Sequence, residues 1–115
     1  MANPSVEEIF SEMMRAGEKA FGEGWSAVAA YAPAEFRKMA VQISEIAQNV
    51  AKYKLDKTEG YSPETGKILM KMQRTAAESV LVATTRLNLI AVQKAMDAVV
   101  KVLRKTFKGF VSRVL

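Results

Sequence analysis

The chain contains neither cysteine nor histidine. The first absence excludes disulfides, zinc–thiolate sites and thiol nucleophiles. The second removes the commonest general base and the commonest transition-metal ligand. Proline and glycine are scarce, three and six among 115 residues, and no stretch alternates apolar and polar side chains. Helical spacing therefore dominates. Long apolar runs are missing as well. The most apolar window, residues 79–92, includes Arg86 and falls short of the roughly 20 apolar residues a membrane span needs. The opening MANPSVEEIF has no basic start and no apolar run of a signal peptide, which makes the cytoplasm the expected compartment.

Further absences bear on chemistry. No GxGxxG or GxxxxGK[ST] element occurs, so no phosphate-cradling loop is expected. Glu7, Glu8 and Glu12 cluster near the start without a histidine to complete a carboxylate metal site, and read as the solvated first turns of a helix. Serines and threonines lack a base; Thr84 and Thr85 are expected to bond to the preceding turn of their own helix. The expectation is a non-enzyme with no cofactor and no metal.

What is present is an ordinary globular composition, half apolar and a quarter charged, in one domain spanning 1–115. Three helices are predicted, at about 5–21, 25–53 and 62–112. The first opens on Ser5-Val6-Glu7-Glu8, a capping box, and carries Val6, Ile9, Phe10, Met13, Gly17, Ala20 and Phe21 at spacings of three and four. Gly22 and Gly24 then break or bend the chain. Pro33 kinks or restarts the second helix, beyond which Phe36, Met39, Ile43, Ile46, Val50 and Tyr53 form a coiled-coil-like seam. Residues 54–61 read as a turn. Ser62-Pro63-Glu64-Thr65 supplies a capping serine, a proline in the first turn and an acid.

Along the third segment Leu69, Met72, Ala76, Val80, Ala83, Leu87 and Ile90 form a stripe. Val92, Met96, Val99, Leu103, Phe107, Phe110 and Val114 continue it. Between Val80 and Val92 the helix is apolar nearly all round, with Leu81, Val82, Leu89 and Ala91 off the stripe, and such a helix must be surrounded. At 1.5 Å per residue it would be roughly 70 Å long, and the second about 43 Å. An all-α long antiparallel hairpin with a bent N-terminal arm follows. Facing residue numbers would sum to about 116, bringing Glu8 near Lys108 and Glu12 near Arg104.

One side of that third helix would stay uncovered, so self-association is expected, most simply a dimer of hairpins forming a four-helix bundle. Leu81, Leu89, Val92, Met96, Leu103, Phe107 and Phe110 are the expected interface. A larger protein assembly is the other partner such faces would suit. Glu78 and Arg86, beside the most apolar stretch, read as a polar pair setting register. Lys94, Asp97 and Lys101 read as a solvated ladder. The methionines read mostly as core, and Trp25 and Tyr31 as a plug at the helix junction.

Net charge is +5, unevenly spread. Residues 1–36 carry −4 and residues 79–115 carry +6, so the two ends attract. The closing LRKTFKGFVSRVL sets Lys101, Arg104, Lys105 and Lys108 on a basic face opposite an apolar one. A peripheral membrane-surface or polyanion binder is therefore the alternative function. No recognition helix or aromatic platform accompanies the charge, so specific nucleic-acid binding is not expected.

Phe21-Gly22, Trp25, Tyr31-Ala32, Glu35 and Lys38, with Met72-Gln73-Arg74, Ala76-Ala77 and Ala91-Val92-Gln93-Lys94-Ala95, resemble a group of small helical bacterial and prophage-type proteins of no assigned function. The resemblance covers residues 20–110. It implies a small all-α protein of bacterial or phage origin and carries over no catalytic or binding residue.

Overall fold

A computed structural model of the chain describes residues 4–115, the side chain of Phe110 excepted. Among these residues the structure is all-α. The order is α1 (Val6–Phe21), a 3-10 turn (Gly22–Gly24), α2 (Trp25–Val28), α3 (Ala32–Leu55), α4 (Pro63–Thr85), α5 (Leu89–Thr106) and α6 (Phe110–Val114).

The caps expected from the sequence are in place. Ser5 Oγ accepts from the Glu8 amide at 3.1 Å while the Ser5 amide donates to Glu8 Oε1 at 3.2 Å, satisfying two otherwise orphaned donors of α1. Pro33 starts α3 rather than kinking it, because its missing N–H lies where a helix has no acceptor to offer. Ser62 Oγ accepts from the Thr65 amide at 3.3 Å at the start of α4. The α3–α4 turn is pinned by Asp56, whose carboxylate takes the Thr58 amide at 2.9 Å and hydroxyl at 2.7 Å. Those two bonds hold its pKa below the usual aspartate value.

The third expected helix is three, α4, α5 and the short α6, and the second is divided as well, α2 being separated from α3 at residues 29–31. The chain breaks at Arg86-Leu87-Asn88, without glycine or proline. Arg86 adopts a left-handed conformation, φ 62°, at a cost of roughly 1–2 kcal/mol for a residue with a Cβ. Local side chains offset it. Thr84 and Thr85 hydroxyls donate back to the Val80 and Leu81 carbonyls, and Thr85 Oγ accepts from the Leu87 amide at 3.3 Å. Asn88 Oδ1 caps α5 by accepting from the Ala91 amide at 3.0 Å.

The break decides the architecture. A helix of roughly 70 Å cannot lie within a molecule measuring 45 × 22 × 19 Å. Instead α5 folds back on α4, and α1, α3, α4 and α5 pack in a ring, each against its two neighbours. One chain thus closes the four-helix arrangement that the continuous-helix reading needed two chains to build. Gly24, just past α1, lies beside Leu87, just before α5, so α1 runs antiparallel to α5. The acidic start does lie along the basic finish, but the expected Glu8–Lys108 and Glu12–Arg104 pairs are not the ones formed. Glu7 pairs with Arg37 of α3 at 2.5 Å, and Glu12 with Arg15 of its own helix at 3.5 Å. The Arg37 guanidinium also lies 4.1 Å from the Phe10 ring centroid. Its bond to Glu7 holds that carboxyl below the usual glutamate value.

The core is built from Ile9, Met13, Val28, the whole α3 seam from Phe36 to Val50, and Ala77, Leu81, Val92, Met96, Val99 and Leu103. Tyr53 at the seam's end is half-buried. Past Gly109, whose φ of +78° turns the chain, α6 lies across the ends of α3 and α4 and inserts Val111 and Val114 into the core. Arg104 holds it there, donating from Nε to the Leu115 main-chain oxygen at 3.2 Å.

Candidate functional site

Helix α4 is rotated from its sequence expectation, and the rotation creates the main surface feature of the molecule. Gly66, Met70, Ala77, Glu78 and Leu81 point inward. A Cβ at Gly66 would come within 2.9 Å of Ile46 and 3.0 Å of Val114, so only glycine lets α4 seat this closely on α3 and α6. The stripe of Leu69, Met72, Ala76, Val80 and Ala83 faces solvent instead. These five occupy about 80° of the helix circumference at 100° per residue.

Two details set this face apart. Ile68 and Met72 are 62% and 63% exposed, and Leu69 and Val80 each 37%. From Met72 to Thr84 the exposed residues of α4 are Met72, Thr75, Ala76, Ser79, Val80, Ala83 and Thr84, none of them charged. The two charged residues in that span, Arg74 and Glu78, turn toward α5. Beside the stripe, across half-buried Gln73, lies a shallow depression of about 710 Å³ lined by Phe10, Pro33, Ala34 and Val41 together with Arg37, Lys38 and Gln42. The stripe itself is uncharged and apolar, and such surface marks interaction sites.

The expected interface residues divide differently. Leu81, Val92, Met96 and Leu103 are wholly buried within the single chain, because α5 folds back onto α4 and covers them. They cannot touch a second chain while the fold stands. Phe107 is half-buried against the core, Leu89 remains 48% exposed, and the Phe110 side chain lies outside the described residues. On the basic face Lys101, Arg104, Lys105 and Lys108 are all exposed. Of the apolar residues expected opposite them, Leu103 of α5 and Val111 and Val114 of α6 are buried in the core.

Glu78 is 5% exposed, and its partner is Arg74 of the same helix, not Arg86, which sits in the α4–α5 turn. Arg74 Nε donates to Glu78 Oε2 at 2.9 Å; one terminal nitrogen bonds to Asp97 and to the Gln93 carbonyl at 3.2 Å. Asp97 therefore ties α5 to α4 rather than joining a ladder with Lys94 and Lys101. Burial pulls the Arg74 pKa down, but the bonds to Asp97 and Glu78 outweigh it and leave it raised. The cluster is a clamp between helices. Replacing Arg74 with leucine should lower stability by about 2–3 kcal/mol, because Glu78 loses its partner while buried. The double variant Arg74→Leu/Glu78→Leu should regain most of that. Urea unfolding midpoints check both.

Trp25 plugs the α1–α3 junction, its ring centroid 6.2 Å from Phe21 and 6.4 Å from Phe36; Tyr31 stays largely exposed. No group of histidine, cysteine or carboxylate side chains suited to a metal occurs among the described residues. No helix among them is long and apolar enough to cross a membrane. No protein-family model, curated protein or solved structure matches the chain.

The α4 stripe is visible in the sequence, but the interface expected there, Leu81 among it, is not the face that stays exposed. The signal for its exposure is a second stripe on the same helix, Gly66, Met70, Ala77 and Leu81, whose small members permit closer packing.

Proposed function

We propose that this chain is a non-enzymatic interaction protein that pairs with a second copy of itself through the outer face of α4. The charge-free stripe from Leu69 to Ala83 carries the reading. Its side chains are self-complementary: in an antiparallel two-fold pairing Leu69 meets Ala83, Met72 meets Val80, and Ala76 meets Ala76 on the axis. Large residues face small ones, and the alanine at the centre lets the backbones approach closely.

The strip is about 21 Å long and about 10 Å wide. It covers a few hundred Å² per copy, less than the roughly 800 Å² per partner of a standard interface. A dissociation constant on the order of micromolar is therefore expected, which suits reversible assembly. A lipid anchor at the C-terminus is the weaker reading, since Leu103, Val111 and Val114 of the face it would insert already point inward. An origin among bacterial or prophage-type proteins would suit a small assembly component.

Sedimentation equilibrium between about 1 and 500 μM, a span set by the expected constant, tests the pairing. Ala76→Glu should weaken it at least about a hundredfold, by setting two carboxylates against each other on the axis. Its circular dichroism should stay unchanged, and so should its melting at concentrations below the dissociation constant, because Ala76 is exposed. A monomer at every concentration refutes self-pairing, as does a dimer that Ala76→Glu leaves intact.

A further inference from the structure

A second feature, independent of the α4 outer face, lies in the groove between α4 and α5. It holds about 490 Å³ and is lined by α4, α5 and the end of α6. Volumes of this order suit small-molecule sites. Its two ends differ in charge. At one end Arg74 is enclosed by Glu78 and Asp97, two carboxylates to one cation. At the other end the lining cations are Lys67 and Lys71 of α4 and Arg104 of α5.

The helix register brings these three together. Arg74 reaches Gln93 and Asp97 across the antiparallel pair, so residue numbers there sum to about 170. The same register sets Lys67 opposite Arg104 and Lys71 opposite Val100. Lys67 and Lys71 are one helical turn apart and lean into one space. Neither Lys67 nor Lys71 forms an ion pair among the described residues. Arg104 uses Nε and one Nη on the Leu115 main-chain oxygen, leaving three of its five N–H donors free. The floor between them is apolar, formed by Met70, Val100 and Val114.

We propose that Lys67, Lys71 and Arg104 form a binding site for a phosphate group, with the apolar floor receiving the non-polar part of the molecule that carries it. A guanidinium facing two ammonium groups matches the charge and donor demand of a phosphate monoester. The two carboxylates at the far end repel the anion and orient it toward the cations. Lys101, exposed on the next position of α5, adds to the local field without lining the groove.

Isothermal titration of the full chain with inorganic phosphate, with monomeric dihexanoyl phosphatidic acid, and with phosphatidylglycerol vesicles tests the assignment. Saturable binding of the phosphate group is expected, weakened at least about tenfold in Lys67→Ala/Lys71→Ala. Both lysines are exposed, and an unchanged thermal melt shows that the variant folds. The matched control Lys19→Ala/Lys52→Ala removes the same charge elsewhere and should bind as the parent does. Tighter binding of the short-chain lipid than of phosphate assigns the source to a lipid; equal binding assigns a free phosphate. Vesicle binding lost in the Lys67/Lys71 variant assigns a membrane headgroup. Absence of binding to all three probes overturns the proposal. Equal loss in the control variant also overturns it, because net charge alone then accounts for the binding.

Discussion

Replacing Phe36 with alanine should lower the stability of this protein by about 3–5 kcal/mol, the usual range for emptying a buried aromatic site. The unfolding midpoint should fall by on the order of 10–20 °C for a domain of this size. Phe36 is the largest fully buried side chain, and it stands where three elements meet. Its ring packs beside Trp25 of α2, and its edge occupies the space a side chain at Gly17 of α1 would take. A Cβ at Gly17 would lie 2.6 Å from Phe36 Cε2. That close fit gives the prediction a second test. Gly17→Ala should be destabilising beside Phe36 and clearly less so beside Phe36→Leu, which removes the closest contact and leaves Trp25 Cζ3 at 3.1 Å from the added methyl group. Calorimetry of the four proteins measures the coupling. A loss below about 1 kcal/mol for Phe36→Ala would mean that the junction collapses freely and does not fix the angle between α1 and α3.

The triple variant Thr85→Ala/Arg86→Ala/Asn88→Ala should convert the bundle closed by one chain into an elongated, domain-swapped dimer. The apolar period of the sequence runs without interruption from α4 into α5, and only side-chain bonds interrupt the backbone. Thr85 accepts from Leu87, Asn88 caps α5, and together they hold residue 86 in its left-handed conformation. Losing the Asn88 cap alone costs about 1 kcal/mol. With both bonds gone and alanine at the break, nothing compensates the roughly 1–2 kcal/mol of left-handed strain, and alanine favours the helix. Residues 63–106 would then form one helix of about 66 Å, too long for a molecule 45 Å in its greatest dimension. The four-helix core would re-form from two chains, each lending its α5 segment to the other. Small-angle scattering should show a longest dimension well above 45 Å, with the monomer recovered only by unfolding and dilution. A variant that remains a compact monomer would show that core packing alone sets the turn. This dimer exchanges helices and forms slowly. The α4-face dimer proposed above dissociates on dilution, so the two are separable.

Both variants bear on what could be read before any coordinates. Helical class, the Ser5 and Ser62 caps, the turn near residue 58 and the α3 seam follow from local rules: capping oxygens, proline at a first turn, and apolar spacing of three and four. Those signals act within a few residues, so they survive whatever the rest of the chain does. The α4–α5 break was legible only in part. Thr84 and Thr85 bonding back to their own helix was expected, but the turn also needs Arg86 left-handed and Asn88 as a cap. Neither residue type announces a break by itself, and the surrounding apolar period argues for continuity.

The face that α4 buries is a question of packing. Leu69, Met72, Ala76, Val80 and Ala83 form the more hydrophobic stripe, yet Gly66, Met70, Ala77 and Leu81 are the ones enclosed. Depth of contact outweighs hydrophobicity here, because Gly66 lets α4 approach Ile46, Val50 and Val114 within van der Waals distance. The partners of charged groups depend on the same geometry. Glu78 and Arg86 are adjacent in sequence pattern but separated by the turn. Arg74, Glu78 and Asp97 meet only because α5 reverses direction.

By itself, then, the sequence determined the helical class, the start and end of α1, the end of α3, the start of α4, the α3 core seam, and the exclusion of thiol and imidazole chemistry. Each depends on residue type and spacing along the chain. Only the tertiary structure decided that one chain closes its own four-helix ring, that the strongest apolar stripe of α4 looks outward, and that Lys67, Lys71 and Arg104 share a groove. Those outcomes depend on a single reversal at residues 86–88 and on how closely a glycine lets two helices approach, and neither effect is periodic along the chain.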